Sequence, residues 1–406
     1  MTDSVKSSST LTFSWVKHIG DLPQSDWDAL ALPLKTPFLE WEWLHQLEVS
    51  GSAIPQAGWL PQHLVAWRQE RGSNQKRLVA AAPLYVKGHS QGEFVFDHQW
   101  AELAHRLGLR YYPKLLGMTP FTPVEGYRFL IAEGEDEAAL TLQMLQVIDQ
   151  FCDRQGLSGC HFLYVDPQWR PLAEAGGYFP WLHHSYIWTN QNYRTFDDYL
   201  QGFNANQRRN IKRERKAVAK SGLEMRVHQG TEISHHLLSQ MYHFYGDTCD
   251  KFGWWGSKYL TRGFFESLYG AYRDRLVLVA AYPQGETHRP YGMSFCITKG
   301  DRLYGRYWGS LQEIDCLHFE ACYYQPIEWA IDQGIQVFDP GAGGRHKKRR
   351  GFPATPNHSL HRLYDPRLSQ ILDHHIDDIN SQEQIIIAAI NADLPFRQIP
   401  QTAADK

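Results

Sequence analysis

Cysteine is scarce. The 406 residues hold six, Cys152, Cys160, Cys249, Cys296, Cys316 and Cys322, with no CxxC pair. Scattered thiols of this kind exclude a zinc ribbon or a disulfide framework and fit a reducing compartment, so a cytoplasmic setting is expected. No apolar run reaches the roughly 18 residues of a membrane-spanning helix. Met1 to Thr12 is polar and Ser-rich, without the apolar stretch of a secretory signal. HExxH is absent despite 20 histidines, so neither a metalloprotease site nor a bound metal is expected. There is no P-loop and no GxGxxG opening a helix. With 41 Lys and Arg against 44 Asp and Glu, the chain also lacks the net positive charge of a generic nucleic-acid binder.

What is present is globular. Hydrophobic residues make up 43% and charged residues 21%. The 14% aromatic content suits a large core or a cleft lined by ring faces. The length favours two domains. Periodicity yields a mixed strand and helix order that runs twice, each half closing with strand, helix, strand, over 127–165 and 302–338. Strong helices are expected at Asp136–Arg154, Asn206–Lys220 and His318–Gln333, with a helix at Ser257–Tyr272 and a strand extending to Phe96. The expected fold class is α+β, two tandem mixed-sheet domains with flanking helices, dividing as 1–190, 191–365 and a helical tail at 366–406 whose apolar helix is Ser381–Ile390.

The charge is unevenly placed. Arg208, Arg209, Lys212, Arg213, Arg215, Lys216 and Lys220 share one predicted helix with a single acid, Glu214, and Arg345, Lys347, Lys348, Arg349 and Arg350 form a second cluster. Taking these net eleven positive charges out of the total of −3 leaves −14 for the rest of the chain. Like charges held together carry an electrostatic cost that an anionic partner would relieve. A solvated helix and a loop are the plain alternative. The second cluster follows Gly341-Ala-Gly-Gly344, a turn whose amides can form an anion-binding concavity. Lys347 and Arg350 are the expected phosphate or carboxylate contacts there.

Several segments taken together resemble a known family. They are Pro83–Asp97, Arg110–Lys114, Pro120–Val124, Arg208–Arg215, Leu303–Gly309, His318–Gln325 and Gly341–Phe352, in order across about residues 35–365. They are similar to the Fem-like peptidoglycan biosynthesis/recognition family, a branch of the GNAT N-acyltransferase superfamily. The resemblance implies two tandem GNAT-like domains and transfer of an acyl or aminoacyl group to an amine. The better-known relatives take amino acids from aminoacyl-tRNA. The chain departs from the family pattern at two positions, where a glutamine stands as Gly343 and a glutamate as Arg345, so no carboxylate role carries over to the second. It also lacks an insertion matching the helical-hairpin arm that Fem-type ligases often carry.

The expected donor is a group-carrier, aminoacyl-tRNA or acyl-CoA acting as co-substrate, with no tightly bound cofactor. GNAT domains usually seat the CoA pyrophosphate on a glycine-rich loop. The corresponding loops here are Gly309–Asp315, with Glu313 and Asp315, and Ala132–Glu137; both would repel phosphate. That favours a larger polyanion such as aminoacyl-tRNA. Candidate catalytic groups are Glu320 as general base with Tyr324, four residues on, as proton donor; His318 and His346 as alternative bases; and Asp339 to fix the glycine turn or orient an amine. His346 is expected to be kept neutral by its cationic neighbours. A buried Glu320 would alternatively pair with a local cation such as Arg306. The substrate- or phosphate-binding set is Arg208, Arg209, Lys212, Arg306, Trp308, Gly343, Gly344, Arg345, Lys347 and Arg350. Tyr304, Tyr307, Trp308, Tyr323, Tyr324, Trp254 and Trp255 either line a cleft or pack in the core. Cys316 and Cys322 are expected to be inert packing.

Three functions follow from these features: an acyl or aminoacyl transferase acting on an amine, a non-catalytic module recognising a polyanion or cell-wall precursor, and an ordinary acyl-CoA N-acyltransferase.

Overall fold

In a computed structural model the described residues are 9–69, 75–95, 97–251 and 258–397. Phe96, Trp254, Trp255 and the start of the helix expected at Ser257 lie outside them.

Two compact units are present. The first takes the chain up to His183, with Tyr259–Phe264 and Asn357–Glu383; the second takes His184–Lys258, Phe265–Pro356 and the chain from Gln384 onward. Both mix sheets with flanking helices, the α+β class expected.

The first unit contains a four-stranded antiparallel sheet in the order Thr10–Val16, His63–Gln69, Lys76–Ala82, Leu130–Ile131. A six-stranded sheet runs Leu60–Pro61, Tyr85–Lys87, Lys114–Gly117, Gly159–Phe162, Ala354–Leu363, Phe179–Tyr186. Helix Glu137–Gln155 starts where the Asp136 side chain accepts from the Ala139 amide, and stops at Gly156, which takes the left-handed conformation.

The domain division seen here differs from the one expected at 365. Strand Ala354–Leu363 joins the six-stranded sheet, pairing Leu360 with Phe162 and Leu363 with Gly159. Helix Pro366–Ala392 runs 27 residues, not the ten or so expected. Its polar stretch hides a stripe of Leu368, Leu372 and Ile376, four apart and all buried.

The second unit is one six-stranded sheet in the order Trp188–Thr189, Val337–Asp339, Arg302–Ser310, Gly292–Lys299, Leu276–Pro283, Leu223–Gln229. Leu276–Pro283 is buried along seven of its eight residues, which explains its unbroken apolar run. One pairing in this sheet is parallel: Arg302, Leu303 and Tyr304 lie beside Val337, Phe338 and Asp339. The pairing ends there. The first strand continues to Ser310, while the second turns away at Pro340 and Gly341. A bulge opposite Phe295 and Cys296 makes Arg306 an extra residue at the point of parting. Gly309 permits close approach of helix His235–Lys251: a Cβ there would lie 2.0 Å from the Phe244 carbonyl oxygen.

The helix expected at His318–Gln333 is continuous but irregular. Leu317–Phe319 and Gln325–Asp332 are α-helical, and Glu320–Tyr324 between them is a π turn. Pro326 supplies the reason: it donates no amide hydrogen and its ring crowds the carbonyl four residues back, so the preceding turn widens.

The first unit's core encloses two imidazoles. His161 Nδ1 lies 2.8 Å from His361 Nδ1, His361 Nε2 lies 2.7 Å from Ser359 Oγ, and that oxygen lies 2.8 Å from His183 Nε2. Burial holds both rings neutral, His361 pushed down to about 3, with His183 and Lys114 adding to the shift against Asp97. His161 is lowered by burial, then by His361 and Lys114. The unfolded chain takes up these protons near pH 6.5, whereas the folded chain refuses them, so stability is full above that pH and declines as pH falls towards 3. Chemical denaturation at pH 7 and pH 5 should show a loss of up to about 2 kcal/mol per buried histidine, and His361→Asn should remove that residue's share of the slope.

Candidate functional site

Every residue singled out for chemistry lies in the second unit. The basic helix Ala205–Lys220 begins at Asn204, whose side chain accepts from the Gln207 amide. Gln207, Ile211 and Val218 are its buried positions. Glu214 falls on the same stripe, four residues before Val218 and three after Ile211. It therefore turns inward, and two groups converge on its carboxylate. The Tyr324 hydroxyl donates to Oε2, and Arg350 Nη2 donates to the same oxygen at 2.8 Å.

Arg350 is 3% exposed. Its Nη1 donates to the His346 carbonyl at 2.9 Å, and the guanidinium lies 3.4 Å from the Phe319 ring centroid. The turn Arg345–Arg350 is tied to the basic helix again where Gln207 Nε2 donates to the Arg349 carbonyl at 2.6 Å. Tyr199 donates to the Arg350 carbonyl at 2.9 Å. The two basic clusters thus meet by way of internal acids and carbonyls. Arg350 is committed to Glu214 and is not presented to a phosphate.

Glu320 is likewise committed. Arg215 Nε donates to its Oε1 at 3.1 Å and Oε2 at 3.3 Å, Nη2 lies 3.0 Å from Oε1 as an ion pair, and Nη2 donates to Glu328 Oε2 at 2.6 Å. Gln325 Nε2 donates to Glu320 Oε1 at 2.9 Å. The carboxylate is 4% exposed and neutralised by Arg215, not Arg306. It shares no hydrogen bond with Tyr324, which the π turn aims at Glu214. The pairing expected of Glu320 and Tyr324 is not what the structure presents.

A cavity of about 250 Å³ opens where the two parallel strands part. Gly305, Arg306, Tyr307 and Trp308 form one wall; Gly341, Ala342, Gly344, His346 and Lys347 form the other; His318, Cys322 and Tyr323 close it from the helix. His346 Nε2 lies 2.8 Å from the Tyr323 hydroxyl. Burial pushes the His346 imidazole down to about 4, with Arg350 and Lys347 adding to it. Like-charge repulsion, the cause expected from the sequence, is the smaller one. His318 is pushed down to about 4 by burial, then by His346, Arg350 and Lys347. Burial raises the Tyr323 phenol, which stays protonated.

The glycine turn shapes this wall. Gly341 has φ +89 and Gly344 φ +90. A Cβ on Gly344 would lie 2.6 Å from His346 Cε1, so only glycine lets the ring settle there. Asp339 Oδ1 accepts from the Gly341 amide at 2.8 Å, and burial raises its carboxyl. It fixes the turn, one of the two roles considered for it. Lys347 is 2% exposed, and its Nζ donates to the carbonyls of Gly341 at 2.5 Å and Ala342 at 3.0 Å.

The remaining expected contacts lie elsewhere. Arg209, Lys212 and Arg345 are exposed, as is Gly343, while Arg208 is half-buried with Nη1 3.4 Å from the Phe203 carbonyl. Lys212 borders a shallow depression with Phe196, Asp197 and Glu328. Sequence reasoning gave Glu214 no role. Its signal was available: the one acid among seven cations occupies the apolar stripe of its helix. Tyr323 entered only as a possible cleft wall. Among the described residues no group of three or more His, Cys, Asp or Glu is placed to hold a metal, and no helix is long and apolar enough to cross a membrane.

Residues 18–398 match the FemAB-like family, described as peptidoglycan biosynthesis and recognition. The chain belongs to that family. Among curated proteins none matches the chain. Solved structures that it is similar to include FemX, at 12% identity and a TM-score of 0.49, covering 88% of this chain and 99% of that one. L-PGS from Bacillus licheniformis shares 10% identity with a TM-score of 0.46, covering 90% and 98%. A tandem GNAT protein from the clavulanic acid biosynthesis pathway shares 12% with a TM-score of 0.43, covering 88% and 99%.

Removing one partner of a buried ion pair strands the other, at about 3–5 kcal/mol. Arg350→Met should therefore destabilise the protein by that order in urea denaturation. The double variant Arg350→Met with Glu214→Gln should recover part of the loss. Strict additivity of the two single effects would show that the pair is not coupled.

Proposed function

We propose that the cavity of the second unit transfers an acyl or aminoacyl group to an amine, the group arriving on a polyanionic carrier of the aminoacyl-tRNA kind. The observation that carries this reading is the parting of strands Arg302–Ser310 and Val337–Asp339, which opens a cavity walled by strand backbone and holding the neutral His346–Tyr323 pair. Strand amides at such a gap are the type of donor that stabilises an oxyanion. The acceptor nitrogen forms a C–N bond to the carbonyl carbon, and the C–O bond to the carrier breaks. The nitrogen gives its proton to the Tyr323 oxygen as the Tyr323 hydroxyl gives its own to His346 Nε2; the proton then leaves on the departing oxygen. Tyr323 is never a phenolate in this relay, in keeping with its burial.

Family membership supports an amine of a peptidoglycan precursor as acceptor. The carrier assignment is supported by the exposed Arg209, Lys212, Arg213, Lys216, Lys220, Arg345 and Arg349, and by the exposed Glu313 and Asp315 where a CoA pyrophosphate would otherwise be sought. A second reading, recognition of a polyanion without chemistry, is favoured by one observation: Glu320 and Arg350 are both locked in ion pairs.

The test is transfer of a labelled group from charged tRNA, or from acyl-CoA, to a peptide amine, beside tRNA retention at graded salt. His346→Ala and Tyr323→Phe should lower kcat by roughly 10²–10⁴ and leave tRNA retention intact. Lys212→Glu should weaken retention and flatten its salt dependence by about one unit of slope. Because His346 is neutral above about pH 4, the rate should show no step near pH 6.5. Retention without transfer would select the recognition reading, and transfer from acyl-CoA alone would overturn the carrier.

A further inference from the structure

The cavity wall has a property that the transfer reading does not use. Among the described residues its lining includes two cations, Arg306 and Lys347, and no aspartate or glutamate. The imidazoles of His318 and His346 add no charge, since burial keeps both neutral. Asp339 lies behind the wall, buried, with Oδ1 on the Gly341 amide, and it faces Arg306, Lys347 and Arg302 together. Cationic side chains therefore outnumber acidic ones around this half-open cavity among the described residues. Gathering charge of one sign at a partly buried site is costly, and a ligand of opposite sign lowers that cost.

Lys347 is the better defined of the two cations. An ammonium has three N–H donors. Two are directed at the carbonyls of Gly341 and Ala342, which hold Nζ against the glycine turn, and the side chain borders the cavity while remaining 2% exposed. The third donor is the one a ligand can use. A lysine fixed in this way is a preorganised anion contact, because its ordering entropy is already spent in the folded chain.

We propose that the substrate portion seated in this cavity carries a carboxylate, bound by Lys347 with Arg306 beside it, and that the same portion with that carboxylate amidated is bound more weakly. The proposal rests on the transfer reading for what happens next, and on the charge of the wall for what binds. The carboxylate has two possible sources, an acidic aminoacyl group on the donor or the free carboxylate of a peptide acceptor.

Binding is measured with two probes of one length on the full chain, glutarate and glutaramide. Glutarate should bind at least about tenfold tighter than the neutral diamide. Lys347→Met should erase the preference. Arg306→Gln, at a less buried position, should reduce it and serves if Lys347→Met does not fold. Transfer assays then locate the source. A preference for glutamyl-tRNA over glutaminyl-tRNA assigns the carboxylate to the donor; a preference for a peptide over its C-terminal amide assigns it to the acceptor. Equal binding of the diacid and diamide overturns the proposal. Carboxylate-selective binding with no transfer from any donor upholds it and overturns the transfer reading alone.

Discussion

A half-buried carboxylate organises the second unit. Glu214 sits in the middle of a helix otherwise crowded with lysine and arginine, and it is turned inward by the apolar stripe to which it belongs. There it receives the Tyr324 hydroxyl and the Arg350 guanidinium on one oxygen. This single acid fastens the basic helix to the turn that follows the glycine segment, and Tyr324 brings in the irregular helix as a third element. The positions of His346 and Lys347 depend on it, since both lie in the short turn that Arg350 closes.

Concentrating cations in an acidic protein would be unfavourable without compensation. For two of them the compensation is an internal acid, Arg350 with Glu214 and Arg215 with Glu320 and Glu328, while Lys347 turns to the Gly341 and Ala342 carbonyls. The cations left to solvent all lie on the outward side of the same helix and turn. One charge run therefore does two jobs, separated by helix face. Its inner members hold the fold, and its outer members form the surface suited to a polyanion.

The cavity arises from strand geometry. Parallel pairing between the two strands lasts three residues, and a bulge and a glycine turn then separate them. Burial by the surrounding rings keeps both imidazoles neutral, and the tyrosine beside one of them keeps its proton. A hydrogen-bonded imidazole and phenol and a buried lysine are thus brought within one small space. Glu320, which looked the better base in sequence, is neutralised by Arg215.

Much of this architecture is legible in the sequence. The alternation and helical stripes, the family-like segments and the two basic clusters all appear in the chain as read, because they depend on local periodicity and composition. Glu214 was legible too, from its place on the apolar stripe. The strand Ala354–Leu363 was not, because its pairing partner Gly159–Phe162 lies about two hundred residues away and only the gap between that strand and Phe179–Tyr186 calls for it. Nor was the π turn at Glu320–Tyr324, which settles where Glu320 and Tyr324 point. Sequence by itself determined which residue types were close in the chain: the glycines, cations and imidazole of 341–350 and the acid among the basic residues of the helix. Tertiary structure decided which of them stayed available, because ion pairing and burial depend on through-space partners that linear order does not specify.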